Sequence, residues 1–137
     1  MVHGRTISVS TAGFSDIIDI SGEVQSIVST SGITDGLVAV TVIGSTASVT
    51  TIEYEPALVE DMMELFEKIV PANIRSRHSE TWGDDNGFSH MRASLMGPGI
   101  TLPVVDGRVL TGTWQQIVVV DHDNRPRMRD VRIQVSG

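Results

Sequence analysis

The stretch HSETWGDDNGFSHMRASLMG, residues 78 to 97, gathers two imidazoles, three carboxylates, one guanidinium and three glycines. Imidazole nitrogen and carboxylate oxygen make a workable ligand set for zinc or another divalent ion. The same groups can act as general acid and base, because histidine titrates near neutral pH. His78 and His90 stand twelve positions apart, too far for one helical face, so only a folded loop brings them together. Between them lie Glu80, Asp84, Asp85 and Asn86. DDNG is also an ordinary turn sequence. These residues alone therefore leave open a polar loop between two core elements.

Three further groups have the right chemistry. Arg92 carries a planar fork suited to phosphate, and Ser94 with exposed backbone N–H groups could add donors. A surface arginine on a capped turn is the plainer reading. LTGTWQQI places Gly112 inside a strand-like run, a sign of a bulge or close backbone approach. A buried tryptophan at 114 would be core, while alternation sends Thr113 and Gln115 to the other face, where they could line a polar pocket. GSTASVTTIEYEP makes a hydroxyl-rich strand face ending at Glu53. No G-x-S-x-G elbow is present, which disfavours a serine hydrolase of that type.

These residues must be held by a small scaffold. The chain has 137 residues, one domain's worth, and its 40% apolar and 20% charged content is that of a globular protein. Aromatics make up only 4%, so aliphatic and β-branched residues must build the core, which favours strands. The net charge of −7 repels phosphate backbones and argues against general nucleic-acid binding. Arg125, Arg127, Arg129 and Arg132 could still form a local basic patch, or simply a solvated edge strand. With no cysteine, disulfides, thiolate zinc sites and a cysteine nucleophile are excluded. No run approaches the ~20 apolar residues of a membrane span, and no signal-peptide pattern is seen, so a cytoplasmic protein without membrane contact is expected.

Thr6–Thr11 alternates as a strand, and FSDIIDIS supplies a second strand-like run. Val24, Ile27 and Val28 then fall on one helical face, with Ser21 as candidate cap and Gly32 as terminator. Residues 35–44 read as a buried strand, and residues 45–54 as its partner or its continuation. The strongest helix is EPALVEDMMELFEKIVP, with Pro56 in its first turn and Leu58, Met62, Leu65, Phe66 and Ile69 as a core-facing stripe. HMRASLMG suits a short helix closed by Gly97. ITLPVV and RVLTGTWQQIVVVD, joined by Asp106–Gly107, read as a hairpin, and DNRP leads into a closing hairpin strand. The expectation is a single α+β domain over 1–137, with largely antiparallel, sandwich-like sheets and two main helices.

The order STAGFSDIIDIS, GSTASVTTIEYEP, HSETWGDDNGFSHMRASLMGPGITLPV, LTGTWQQI and the arginine-rich final strand resembles the YjbQ-like family. Its more specific pieces are D-x-N-x-x-x-H-x-x-x-S-L-x-G, matched from Asp84 to Gly97, and G-T-W-Q, matched from Gly112 to Gln115. The resemblance implies a compact α+β homotrimer whose polar pocket is completed by a neighbouring subunit. It implies a weak thiamine-phosphate synthase activity, joining a hydroxymethylpyrimidine diphosphate to a thiazole phosphate with release of pyrophosphate. The family's functional histidines, asparagine and strand-end glutamate correspond to His78, His90, Asn86 and Glu53. Many members carry H-T-T-A where this chain has Gly44-Ser45-Thr46-Ala47, so the first histidine is missing.

On this reading His78, Asp85, His90 and Glu53 are the catalytic candidates. Asn86, Arg92, Ser94, Thr113, Trp114 and Gln115 bind the small phosphorylated substrate. His78, His90 and Asp84 are the candidate ligands of a magnesium or zinc ion. A non-catalytic protein binding a phosphometabolite or metal is the alternative. A third reading makes the polar segment the cap of a trimer interface.

Overall fold

The computed structural model describes residues 1–137. The elements run β1 (Val2–Thr11), β2 (Asp16–Asp19), α1 (Ser21–Ser31), β3 (Gly36–Val42), β4 (Ala47–Ile52) and α2 (Pro56–Ile69). They continue with α3 (Arg77–Trp82), α4 (Gly87–Met96), β5 (Gly99–Val105), β6 (Arg108–Val109), β7 (Gln116–Asp121) and β8 (Arg127–Ser136). They make an α+β fold with two antiparallel sheets, one of five strands in the order β1-β8-β3-β5-β6 and one of three in the order β2-β7-β4.

The Ile117–Val120 run explains the layering. A strand buried on both faces loses its polar alternation. Ile117 and Val119 enter the main core between the sheets, with Val38, Val40, Val131, Ile133 and the inner face of α1. Val118 and Val120 point the other way, into a second cluster with Ile17 and Phe66, against which Met62 and Met96 of α2 and α4 pack. The order is thus five-stranded sheet, three-stranded sheet, then α2 and α4. No helix is long and apolar enough to cross a membrane.

Both main helices form where the periodicity places them. Gly32 ends α1 at φ 72°, a left-handed value that glycine reaches without cost. The α1 cap differs: Ser21 is the first helical residue, and its hydroxyl accepts from the Ile117 N–H instead of capping its own helix. In α2 the Glu55 carboxylate accepts from the Ala57 and Leu58 N–H groups just ahead of the main-chain bonds. Its apolar stripe is only partly core: Phe66 is buried, whereas Leu65 and Ile69 are exposed. Helices α3 and α4 fill the polar segment after Ile74.

The two hairpins expected at the C-terminal end are corrected. Asp106 and Gly107, both at positive φ, turn β5 into β6, but only Arg108 and Val109 pair back. The chain then leaves for the other sheet, and residues 110–115 form a loop, so Gly112 is not a strand bulge. DNRP likewise crosses between sheets, and β8 lies between β1 and β3, not at an edge. Its alternation buries Arg129 and turns Arg132 outward, so the arginines do not form one basic patch.

Candidate functional site

The polar segment does fold into a cluster. Ser76 caps α3 by accepting from the Ser79 N–H, and the Ser79 hydroxyl accepts from Gly87 N–H at 3.1 Å, which locks α3 to the start of α4. Gly87 permits this approach, because a Cβ there would lie 1.9 Å from Ser76 Oγ. The result brings His78 of α3 and His90 of α4 edge to face, with ring centroids 4.4 Å apart. Asp84 Oδ2 lies 3.5 Å from His78 Nε2, and both side chains are partly exposed. Turned to satisfy both ends, the Asn86 amide donates to Asp84 at 3.0 Å and lies 3.3 Å from His78 Nε2.

Asp85, at φ 55°, is held apart from this cluster. It lines a polar cavity of about 440 Å³ with Arg75, Ser76 and Glu80, and neither histidine lines it. His78, His90 and Asp84 are neighbours, but no group of three or more such side chains is arranged to hold a metal ion.

The remaining candidates do not converge with the histidines within one chain. Register decides this. Ala47 pairs with Asp121 and Ile52 with Gln116, so β4 carries Glu53 to the opposite end of the three-stranded sheet from Asp121. Asp84 and Asn86 sit at the Asp121 end, where the Asn124 amide donates to the Asp84 carbonyl. Five strand steps at ~3.4 Å place the two groups about 17 Å apart. The Gly112–Gln115 loop belongs with Glu53: Gln115 Nε2 donates to Thr51 Oγ1 at 3.1 Å, and its Oε1 accepts from the Gly112 N–H. Trp114 is not core, being 72% exposed, and Thr113 and Glu53 are exposed.

Arg92 is corrected most sharply. It is 4% exposed, and its fork is spent inside the protein. Nε donates to the Val70 carbonyl, Nη1 to Ser15 Oγ and Nη2 to Glu67, while the guanidinium lies over the Phe88 ring. Its place on α4 turns it inward, towards the end of α2 and the β1–β2 loop, which the pattern of a short polar helix did not reveal. Ser94, two residues on, is exposed.

Sequence reasoning passed over Asp121-His122-Asp123, although acid–imidazole–acid directly after a fully apolar strand was a visible signal. All three are buried. Asp121 accepts a bidentate pair from Arg129, at 2.7 Å from Nε and 2.8 Å from Nη2, and a 2.6 Å bond from Thr11. Asp123 accepts from Thr46 and from Arg127 Nη1. Burial pushes the Asp121 carboxyl up, but the bonds from Arg129, Thr11 and the Asp123 backbone outweigh it and hold the group below its ordinary value.

His122 sits between Ser15 Oγ at 2.8 Å and Ser48 Oγ at 3.2 Å, edge-on to Phe66. Burial, helped by the nearby Arg92 charge, lowers its pKa from 6.5 to about 4, with Asp121 opposing and Arg129 adding. The unfolded chain therefore binds a proton that the folded chain refuses between these values. Stability should fall as pH drops from 6.5 towards 4, by about 3 kcal/mol in all. Urea unfolding at stepped pH checks this against His122→Gln, which should flatten that window. A profile unchanged by the substitution would refute it.

Comparison with known proteins is consistent along the whole chain. A family model described as UPF0047 protein YjbQ-like matches residues 5–137. A UPF0047 protein of Methanothermobacter thermautotrophicus is 33% identical over 136 residues, 99% of this chain and 93% of its own. One from Archaeoglobus fulgidus is 34% identical over 128 residues, covering 93% and 97%. The crystal structure of a YbjQ-like protein of unknown function from Sulfolobus solfataricus P2 superposes with a TM-score of 0.92 at 32% identity, covering 98% of this chain and 96% of that one.

Proposed function

The chain belongs to the YjbQ-like UPF0047 family, and from that premise we propose that it is a small-molecule transferase with weak thiamine-phosphate synthase activity. The ring nitrogen of the thiazole phosphate attacks the pyrimidine methylene carbon. A C–N bond forms, the C–O bond to the diphosphate breaks, and its electron pair leaves on pyrophosphate. The observation that carries this reading is the exposed imidazole pair His78–His90 with Asp84 and Asn86 beside it. A protonated His90 supplies the acid for the departing oxygen, and Asn86 and Asp84 orient His78.

The separation of Trp114 and Glu53 from the histidines gives the proposal its quaternary form. In a homotrimer the Gly112–Gln115 loop of one copy reaches the histidine pair of the next, where Trp114 offers a stacking face for the pyrimidine. Exposed Trp114, Leu110 and Leu95 support burial against another copy. The test is steady-state formation of thiamine phosphate from the two purified substrates. His90→Ala and Trp114→Ala should each lose most of the wild-type activity. Co-refolded one to one, they should recover roughly a quarter of the wild-type sites by random pairing in a closed ring. Failure to recover, with both variants still oligomeric, would exclude the shared site.

A non-catalytic binder is the second reading, favoured by the burial of Arg92, whose fork is spent inside the protein. Saturable ligand binding without any turnover by the wild-type chain would establish it in place of the first.

A further inference from the structure

We infer that Arg129 and the Gly44–Ser45 turn form a seat for a phosphoryl oxygen, beside Ser94 on α4. The inference rests on the reading that the chain handles a phosphorylated small molecule, and it says where that group is held.

Arg129 is 3% exposed, yet only part of its guanidinium is used. Nε and Nη2 are taken by Asp121 and Thr46, whereas Nη1 has no acceptor in the protein. The one fully enclosed side-chain nitrogen or oxygen without a partner is His3 Nε2, so solvent touches Arg129 Nη1. What lies over it is Gly44. A Cβ on Gly44 would fall 2.9 Å from Nη1, and the φ of 147° there is one that other residues rarely adopt. Any side chain at this position would cover the free donor.

The surroundings suit an oxyanion. A cavity of about 170 Å³ opens beside Gly44, lined also by Ser45, Ala47, Ser94 and Gly97. Ser45 and Ser94 are exposed and their hydroxyls bond to nothing in the chain. Asp121 and Asp123 are balanced by Arg129 and Arg127, so the local charge does not repel an anion despite the net −7. The space is below the ~300–1,000 Å³ of pockets that enclose a whole metabolite, so it fits one end of a ligand. Ser94 is one helical turn beyond His90, which places that end next to the histidine pair.

The probe is inorganic phosphate, with methyl phosphate as the ester form, titrated into the isotope-labelled full chain at constant ionic strength and followed by amide NMR. Saturable shifts are expected at Gly44, Ser45 and Ser94 with both probes. Gly44→Ala should weaken binding about tenfold. Should that variant misfold, Ser45→Ala with Ser94→Ala, both on the surface, should weaken it several-fold. Shifts absent from these residues, unchanged affinity in the variants, or exclusion of methyl phosphate would overturn the seat. Turnover separates the two proposals. Intact activity without phosphate shifts at Gly44 removes the seat alone, and shifts at Gly44 without any turnover remove the catalytic reading alone.

Discussion

Arg129→Met is expected to lower the unfolding free energy by about 3–5 kcal/mol, read as a drop in urea midpoint at unchanged slope. The reason is what the substitution leaves behind. Asp121 is fully buried and stays ionised because Arg129 grips both its oxygens. Methionine fills most of the volume, so packing loss is a minor part. The carboxylate then keeps only the Thr11 hydroxyl and the Asp123 N–H, too few donors for a charge out of water. Removing both charges, in Arg129→Met with Asp121→Asn, should be much less damaging than the single change. A double variant no more stable than Arg129→Met would show that the pair's charge is not the source.

The second large effect is on chemistry. His90→Ala should reduce kcat for thiamine-phosphate formation by about 10²–10⁴-fold, the usual contribution of a positioned acid. His90 is half-buried, and its ring bonds to no side chain, so its removal should leave the fold intact. Unchanged circular dichroism together with partial recovery by added imidazole would separate a lost proton donor from lost packing. Wild-type turnover in His90→Ala would exclude the role.

Local signals were legible where one neighbour decides the conformation. Pro56 and Gly32 bound their helices because proline and glycine act on their own backbone. Asp106–Gly107 made its turn for the same reason. What the sequence could not show depends on register and sheet membership. Trp114 and His90 are both in family-specific motifs, yet strand pairing holds them apart at opposite ends of β7. Arg92 stands alone in a polar segment and Arg129 in an arginine-rich one, and neither setting shows which side of its element it occupies. Only the rotation of α4 and the alternation of β8 decide that both turn inward, one saturated and the other with a donor to spare.

The position of β8 has a consequence for how the chain is made. Of the strands in the larger sheet, the last in chain order is the one that bridges β1 to β3, and it pairs with β1 along the full register from Val2–Ser136 to Thr11–Arg127. Until it arrives, β1 has no hydrogen-bonded neighbour and the larger sheet exists only as β3, β5 and β6. The nascent chain must therefore carry an unpaired ten-residue strand until β8 has been made, a template for stray pairing with other chains. The Thr6, Ser8 and Ser10 side of that strand keeps one face polar during the wait.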